Sequence, residues 1–383
     1  RRVLFRSILK LYIIPTLYFV KCLSFLQTNF IFMYQSSTQY KSKDYIYFIA
    51  LNANLGALVS GMFFVSFNAC MYEVLQALED NIFSQPMERA ILSSAIPFGG
   101  MIGAMIASCT SAYLGRRTTM IIADIISIVG SIVSIHNLIH VMILGRILCG
   151  IASGINYLVI PLYVREISPS EMSGKTGGLY RFLFAFGIFL TFLMSFGLTD
   201  PPVPDDKWWK AIFLTPCVFA AVRTFGLCFF AHFEPARFHV ISDDPDKAMV
   251  SLSRIYKPEY VQKMFEIEKR AEKGRFVDVF GPKYRKQAKV LLLLYFVMQF
   301  TGSNSLNFYS TMIFNGEDDE DTSNIATVRF LNVVVALVKI AAALIGGVLA
   351  DKLGRRFLLV YGNLFISVTL LLMAGTSYIE YFP

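Results

Sequence analysis

Hydrophobic residues along this chain gather in long unbroken runs separated by short polar connectors. Nine runs, near 45–70, 90–113, 118–136, 139–163, 175–198, 210–231, 289–314, 325–350 and 356–378, are long enough to cross a bilayer, which takes roughly 20 apolar residues per helix. Backbone groups in lipid must satisfy one another, so helices are the expected spanning form. One connector is different. Residues 232–288 include DPDKAMVSLSRIY and VQKMFEIEKRAEKGRF, where opposite charges interleave at helical spacing, and short amphipathic helices on the cytosolic side are predicted there. The pattern divides the chain into an unassigned apolar segment (1–44), a six-helix bundle (45–231), the linker (232–288) and a partial bundle of three helices (289–383). Arg6, Lys10, Pro15 and Lys21 interrupt the first segment, which lacks a clear small-residue cleavage site of the kind that ends a secretory leader.

Composition agrees. Of 383 residues, 55% are hydrophobic and 16% charged, where a soluble domain carries about 25%. The net charge of +8 would suit a nucleic-acid surface only if the cations shared one soluble face. They lie instead in connectors and linker, the pattern of cytosolic loops in a polytopic membrane protein. Arg116 and Arg117, Arg165, and Arg355 and Arg356 are therefore placed on the cytosolic side, and the acidic connectors DPPVPDD (200–206) and EDDED (317–321) opposite. The six cysteines sit in apolar runs without a C-x-x-C pair and read as small buried residues. The four histidines lie near span ends and form no ligand set, and no phosphate-binding loop is present. The expected class is an all-α polytopic protein of the lipid bilayer, with no catalytic residues, metal, cofactor or nucleic-acid partner. A plasma-membrane location is expected, an organelle membrane being the alternative.

The connector YLGRRTTM (113–120) returns as KLGRRFLLV (352–360), roughly 240 positions later. Glycine permits a tight reversal between helices. The arginines behind it hold the turn at the cytosolic surface and can neutralise carboxylates and helix C-terminal carbonyls on neighbouring spans. Two copies, each after the second helix of its half, imply two homologous halves, an arrangement characteristic of secondary transporters.

With those features in place the chain resembles the sugar-porter branch of the major facilitator superfamily over roughly residues 50–378. GRILCGIASGINYLVIPLYVREISPSEMSG (145–174) is similar to that family's fourth-helix signature, with Gly145, Arg146, Gly150, Gly154, Pro161, Tyr163, Glu166, Ser168, Pro169 and Gly174 in step. FEPARF (233–238) resembles the motif after the sixth helix, keeping Glu234 and Arg237. MQFTGSNSLNFYSTMIF (298–314) resembles the seventh-helix substrate segment, keeping Gln299, Gly302, Asn304, Tyr309 and Ser310. ADKLGRR keeps the acidic residue Asp351, where AYLGRR has Ala112.

The resemblance implies a major facilitator fold that carries a hexose-like sugar by alternating access. It implies an intracellular ion-pair and gating set of Arg116, Arg117, Arg146, Glu166, Glu234, Arg237, Asp351, Arg355 and Arg356, which ordinary solvated surface charge would also explain. Such pairs must break and re-form as the halves rock, and their modest energy suits a gate. Ser173 stands where the family has an arginine. The glycine pairs Gly99/Gly103 and Gly150/Gly154 need only let helices approach. Sugar hydroxyls donate and accept, as amides do, so Gln299 and Asn304 are candidates to hold the sugar, a helix–helix hydrogen bond being the alternative. Tyr309 and Asn68 join the candidate set.

Three positions depart from the pattern. Met298 replaces the glutamine usual before Gln299, Arg181 falls on the fifth-helix glutamine position, and Lys339 on the eighth-helix asparagine position. Cations deep in a membrane cost about 2.5–3.5 kcal/mol each unless water or a carboxylate compensates, and Asp124 is one of few candidate partners. An anionic sugar derivative, a divergent hexose site and an imperfect gene sequence are the readings this leaves open.

In the first span, LGALVSGMFFVSFNA (55–69) places Phe63 where proton-coupled members tend to carry an aspartate. Phenylalanine takes up no proton, so facilitated diffusion is expected over proton symport. The family needs about twelve helices, and after the ninth the sequence reaches YIEYFP, so it is expected to be a fragment or a carrier that has lost transport. A non-transporting sugar sensor is the rival class.

Overall fold

A computed structural model describes residues 40–78, 85–169, 172–199, 207–270, 280–282, 284–315 and 325–381. Every apolar run within them is helical. Helix α1 (Lys43–Ala69) begins at Ser42, whose hydroxyl accepts from the Tyr45 amide at 3.3 Å. This satisfies one of the amides that a helix start leaves unpaired. A short α2 (Met71–Ala77) follows, then α3 (Gln85–Tyr113), α4 (Arg116–Val133), α5 (Ile139–Ile167), α6 (Ser173–Met194) and α7 (Trp208–Phe229). The linker holds α8 (Ala236–Ile241), α9 (Pro245–Ile255) and α10 (Pro258–Lys269), and α11 (Arg285–Phe300), α12 (Ser303–Asn315), α13 (Ile325–Leu353) and α14 (Arg355–Tyr381) come after it.

Among the described residues six helices, α1, α3, α5, α6, α7 and α13, are long and apolar enough to cross a membrane by themselves. Helix α4 carries Arg116, Arg117 and Asp124 within its 18 residues. The seventh run, expected as one span, is divided: α11 ends, Gly302 turns left-handed with φ 69°, and α12 restarts. The acidic connectors and residues 1–39 lie outside the described residues.

Both Gly-Arg-Arg connectors turn the same way. Gly115 has φ 93° and Gly354 φ 84°, positive-φ backbone that costs an L-residue on the order of 1–3 kcal/mol. The arginines behind each glycine open the next helix. Helices α3 and α5 meet through glycine, and a Cβ added to Gly150 would stand 3.0 Å from the Gly99 Cα.

Two apolar clusters hold the ends of the first bundle. One gathers Ile46, Tyr163, Ile167, Leu227 and Ile255; the other gathers Phe67, Met142, Trp209, Phe213 and Ile325. The Lys41 amide donates to the Ile255 carbonyl at 3.0 Å, tying the entry into α1 to the linker. The linker, the α3–α4 turn and the α5–α6 turn therefore share one end of the bundle, the end the cation pattern assigns to the cytosol. Helix α13 packs on α6 and α1, its Val333 and Ala336 meeting Ile188 and Phe192 of α6 and Val65 of α1.

Candidate functional site

The end of the bundle away from the linker is closed by polar contacts between the two parts of the chain. Asn68, at the end of α1, donates from Nδ2 to the Asn307 carbonyl (3.1 Å) and to Ser310 Oγ (2.8 Å). The Thr311 amide donates to Asn68 Oδ1 (3.2 Å), and the Thr311 hydroxyl donates to the Asn68 carbonyl (2.7 Å). Ser310 and Thr311 are held in turn by Asn332 of α13, at 2.5 and 3.0 Å. Nearby, Arg329 of α13 donates to Glu73 of α2 at 2.6 Å and to the Leu198 carbonyl at 2.9 Å. Glu73, Arg329 and the Asn68 set are buried, so these bonds form out of reach of competing water.

Below this seal lies a cavity of about 870 Å³ between α1, α3, α5 and α6 on one side and α11 and α12 on the other. Gln299 and Asn304 come from the two sides of the Gly302 break, and Asn304 Nδ2 donates to Gln299 Oε1 at 3.1 Å. The broken helix brings both amides to one wall, as discontinuous helices do at transporter sites. Facing them are Asn54, Ser60, Ser153, Tyr157 and Arg181. The cavity extends to Arg165, Ser173 and Gly177 at the linker ends of α5 and α6.

The other candidate ligands lie elsewhere. Met298 is 64% exposed on the flank of α11, one position and roughly 100° round the helix from Gln299. Tyr309 is not among the cavity-lining residues, and Asn68 is taken up by the seal. Lys339 donates to Asn307 Oδ1 and so joins the seal from α13. No carboxylate among the described residues is its partner. Asp124, the expected counterion of the deep cations, is bound to Arg223 of α7 at 2.9 Å with both side chains fully buried. Thr224 Oγ1 donates to the same Asp124 oxygen, and Arg223 also reaches the Met120 carbonyl and Asn156 Oδ1. A Cβ on Gly56 would strike the Arg223 guanidinium, so that glycine makes the space.

The expected ion-pair set divides similarly. Arg116 and Glu166 pair at 2.9 Å through both guanidinium nitrogens that face the carboxylate. Glu234 accepts from main-chain amides rather than from an arginine: Arg117 N and Thr118 N, both at 3.0 Å. Its carboxylate caps the α4 N-terminus, where the helix dipole favours negative charge, and a Gly115 Cβ would stand 2.5 Å from it. The Arg117 side chain donates to the Leu227 carbonyl of α7 at 2.9 Å. Arg146 pairs with no acid among the described residues: it donates to the Leu92 carbonyl at 2.7 Å and lies over the Phe67 and Phe213 rings. Those rings and the carbonyl offset its charge. Arg237 makes no ion pair among the described residues and lines a linker cavity of about 500 Å³ with Asp243, Asp244 and Glu268. In that linker Lys247 donates to Asp244 at 2.7 Å, which holds the Asp244 carboxyl below the usual carboxylate range. Arg356 is exposed, and the Asp351 and Arg355 side chains lie outside the described residues. Phe63 is buried against Val59, Ile96 and Cys149.

Sequence reasoning missed Arg223, Glu73, Arg329, Thr311 and Asn332. A lone arginine inside the apolar run FAAVRTFGL was the available signal for the first.

A family model described as "Sugar (and other) transporter" matches residues 18–381. The chain is 26% identical over 291 residues to solute carrier family 2, facilitated glucose transporter member 10 of Xenopus tropicalis, covering 74% of this chain and 49% of that protein. It is 26% identical over 307 residues to facilitated glucose transporter member 2 of Bos taurus (75% and 58% covered). It is 25% identical over 339 residues to the glucose transporter GlcP of Staphylococcus epidermidis (87% and 72%). The chain thus spans about half to three-fifths of the first two relatives. Its fold is similar to the major facilitator superfamily proton:xylose symporter XylE bound to 6-bromo-6-deoxy-D-glucose, with TM-score 0.70 and 17% identity over 83% of this chain and 72% of that one. It is also similar to a partially occluded inward-open conformation of XylE from E. coli, with TM-score 0.66 and 17% identity over 82% and 75% of the two chains.

Proposed function

The chain belongs to the sugar (and other) transporter family, and from that premise we propose that it carries a hexose-sized, hydroxyl-rich solute across its membrane by alternating access. One observation supports this reading above the rest: the cavity that holds Gln299 and Asn304 is sealed at one end by bonds between the two parts of the chain and reaches the linker end at the other. The arrangement is that of a carrier loaded from, or emptied to, the cytosolic side. Opening the opposite end requires the Asn68 and Glu73 contacts to break while the Arg116–Glu166 end closes, a rocking of one packed group against the other.

Uniport is the coupling mode this reading favours. Phe63 offers no proton acceptor, and Arg146 is already held by a carbonyl and two aromatic rings. Counterflow in proteoliposomes of the full-length protein tests the whole reading. Vesicles loaded with unlabelled hexose should transiently accumulate external labelled hexose without ATP or an imposed pH gradient, and a protonophore should leave the initial rate unchanged. No counterflow with hexose or with its acid and phosphate derivatives would defeat the carrier reading, and protonophore-sensitive accumulation would replace uniport with symport. The membrane is proposed to be the plasma membrane.

A further inference from the structure

The cavity is unbalanced in charge. Two arginines line it, and among the described residues no carboxylate does. Arg165 stands near its linker-end mouth, two positions before α5 ends. Arg181 is deeper, eight positions into α6, about 12 Å along the axis at 1.5 Å per residue.

Every other described cation at such depth is engaged. Arg223 binds Asp124, Arg329 binds Glu73, Lys339 binds Asn307, and Arg146 binds a carbonyl. The Arg181 side chain is exposed to the cavity and makes no hydrogen bond or ion pair with any described residue. An ionised group left open at membrane depth marks an ion or substrate path more often than a packing role. Guanidinium presents a planar fork of donors that fits carboxylate or phosphate oxygens in pairs. Around it stand Tyr157 and Tyr295, with Gln299 and Asn304 on the facing wall, groups that match hydroxyls.

We infer that the cavity selects an anionic, hydroxyl-rich solute: a sugar bearing a carboxylate or phosphate, whose oxyanion pairs with Arg181 while its hydroxyls meet Gln299 and Asn304. Arg165 at the mouth raises the local concentration of such an anion before it enters. The inference rests on the reading of this cavity as the solute site and names the solute's charge.

The test is competition for counterflow in phosphatidylcholine proteoliposomes of the full-length protein, free of anionic lipid headgroups. The probes are glucose, glucuronate and glucose 6-phosphate. At least one of the two anions should compete at a concentration tenfold or more below that of glucose. Arg181→Gln should lower the anion-to-glucose preference at least tenfold, and Arg181→Lys should retain most of it, which separates a charge effect from a folding defect. Glucose competing better than both anions in the unmodified protein, or a preference unmoved by Arg181→Gln, overturns the inference while leaving the carrier reading intact. Absence of counterflow with all three probes defeats both.

Discussion

Asn68 and Thr311 grip each other twice, the Thr311 amide on the Asn68 side-chain oxygen at 3.2 Å and the Thr311 hydroxyl on the Asn68 carbonyl at 2.7 Å. These residues are 243 positions apart, one from each part of the chain. With Asn307 and Ser310 they join the two parts at the end opposite the linker.

Asn68→Ala removes three side-chain hydrogen bonds from that seal. A buried bond is worth about 0.5–1.5 kcal/mol net, so roughly 2 kcal/mol or a 30-fold shift toward the outward-open state is expected. A cysteine at Phe308, labelled by a membrane-impermeant maleimide from the non-linker side, should react faster in this variant.

Glu73 and Arg329 form the second half of the seal. Glu73→Gln leaves Arg329 with carbonyl partners only, and breaking one side of a buried pair costs about 3–5 kcal/mol. The same labelling rate should rise, and Glu73→Arg combined with Arg329→Glu should restore part of the closed state. Equal rates in single and double variants would deny the pair a latching role.

Gln299→Leu is expected to weaken solute binding about 5- to 30-fold, the loss of one to two hydrogen bonds at the cavity wall. Met298→Leu, on the outward flank, should stay within twofold. Half-saturation concentrations for counterflow distinguish them.

Asp124 and Arg223 carry structure rather than solute. Asp124→Asn strands a buried guanidinium and should cost about 3–5 kcal/mol, seen as a lower melting temperature in detergent. Arg223→Gln added to it should recover much of that loss, since the pair is then removed as a unit.

The sequence made the spans legible because lipid permits so few backbone solutions, and it made the turns legible because Gly115 and Gly354 stand before matched arginines. Gln299 and Asn304 stood out as amides inside an apolar run, and the structure places both on the cavity wall, hydrogen-bonded to each other. Partnerships were not readable. Asp124 meets Arg223 across 99 positions and Glu73 meets Arg329 across 256, and periodicity carries no information about which helix faces which. Asn68 and Lys339 were placed at the solute by the family resemblance, yet polar groups at an interface between moving parts look the same along a line of residues. The resemblance placed Glu234 in a set of carboxylate–arginine pairs. The open end of α4 offered two amides instead.

Cross-linking the seal tests alternating access most directly. In a background with the six native cysteines replaced, Asn68→Cys and Thr311→Cys would be joined oxidatively in proteoliposomes and solute exchange measured before and after reduction. Exchange should fall below a tenth when the link is complete and return on reduction, while a cysteine at Gly177, exposed on the cavity near the linker end, stays reactive from the linker side throughout. Exchange continuing at the unlinked rate with the link fully formed would contradict the account.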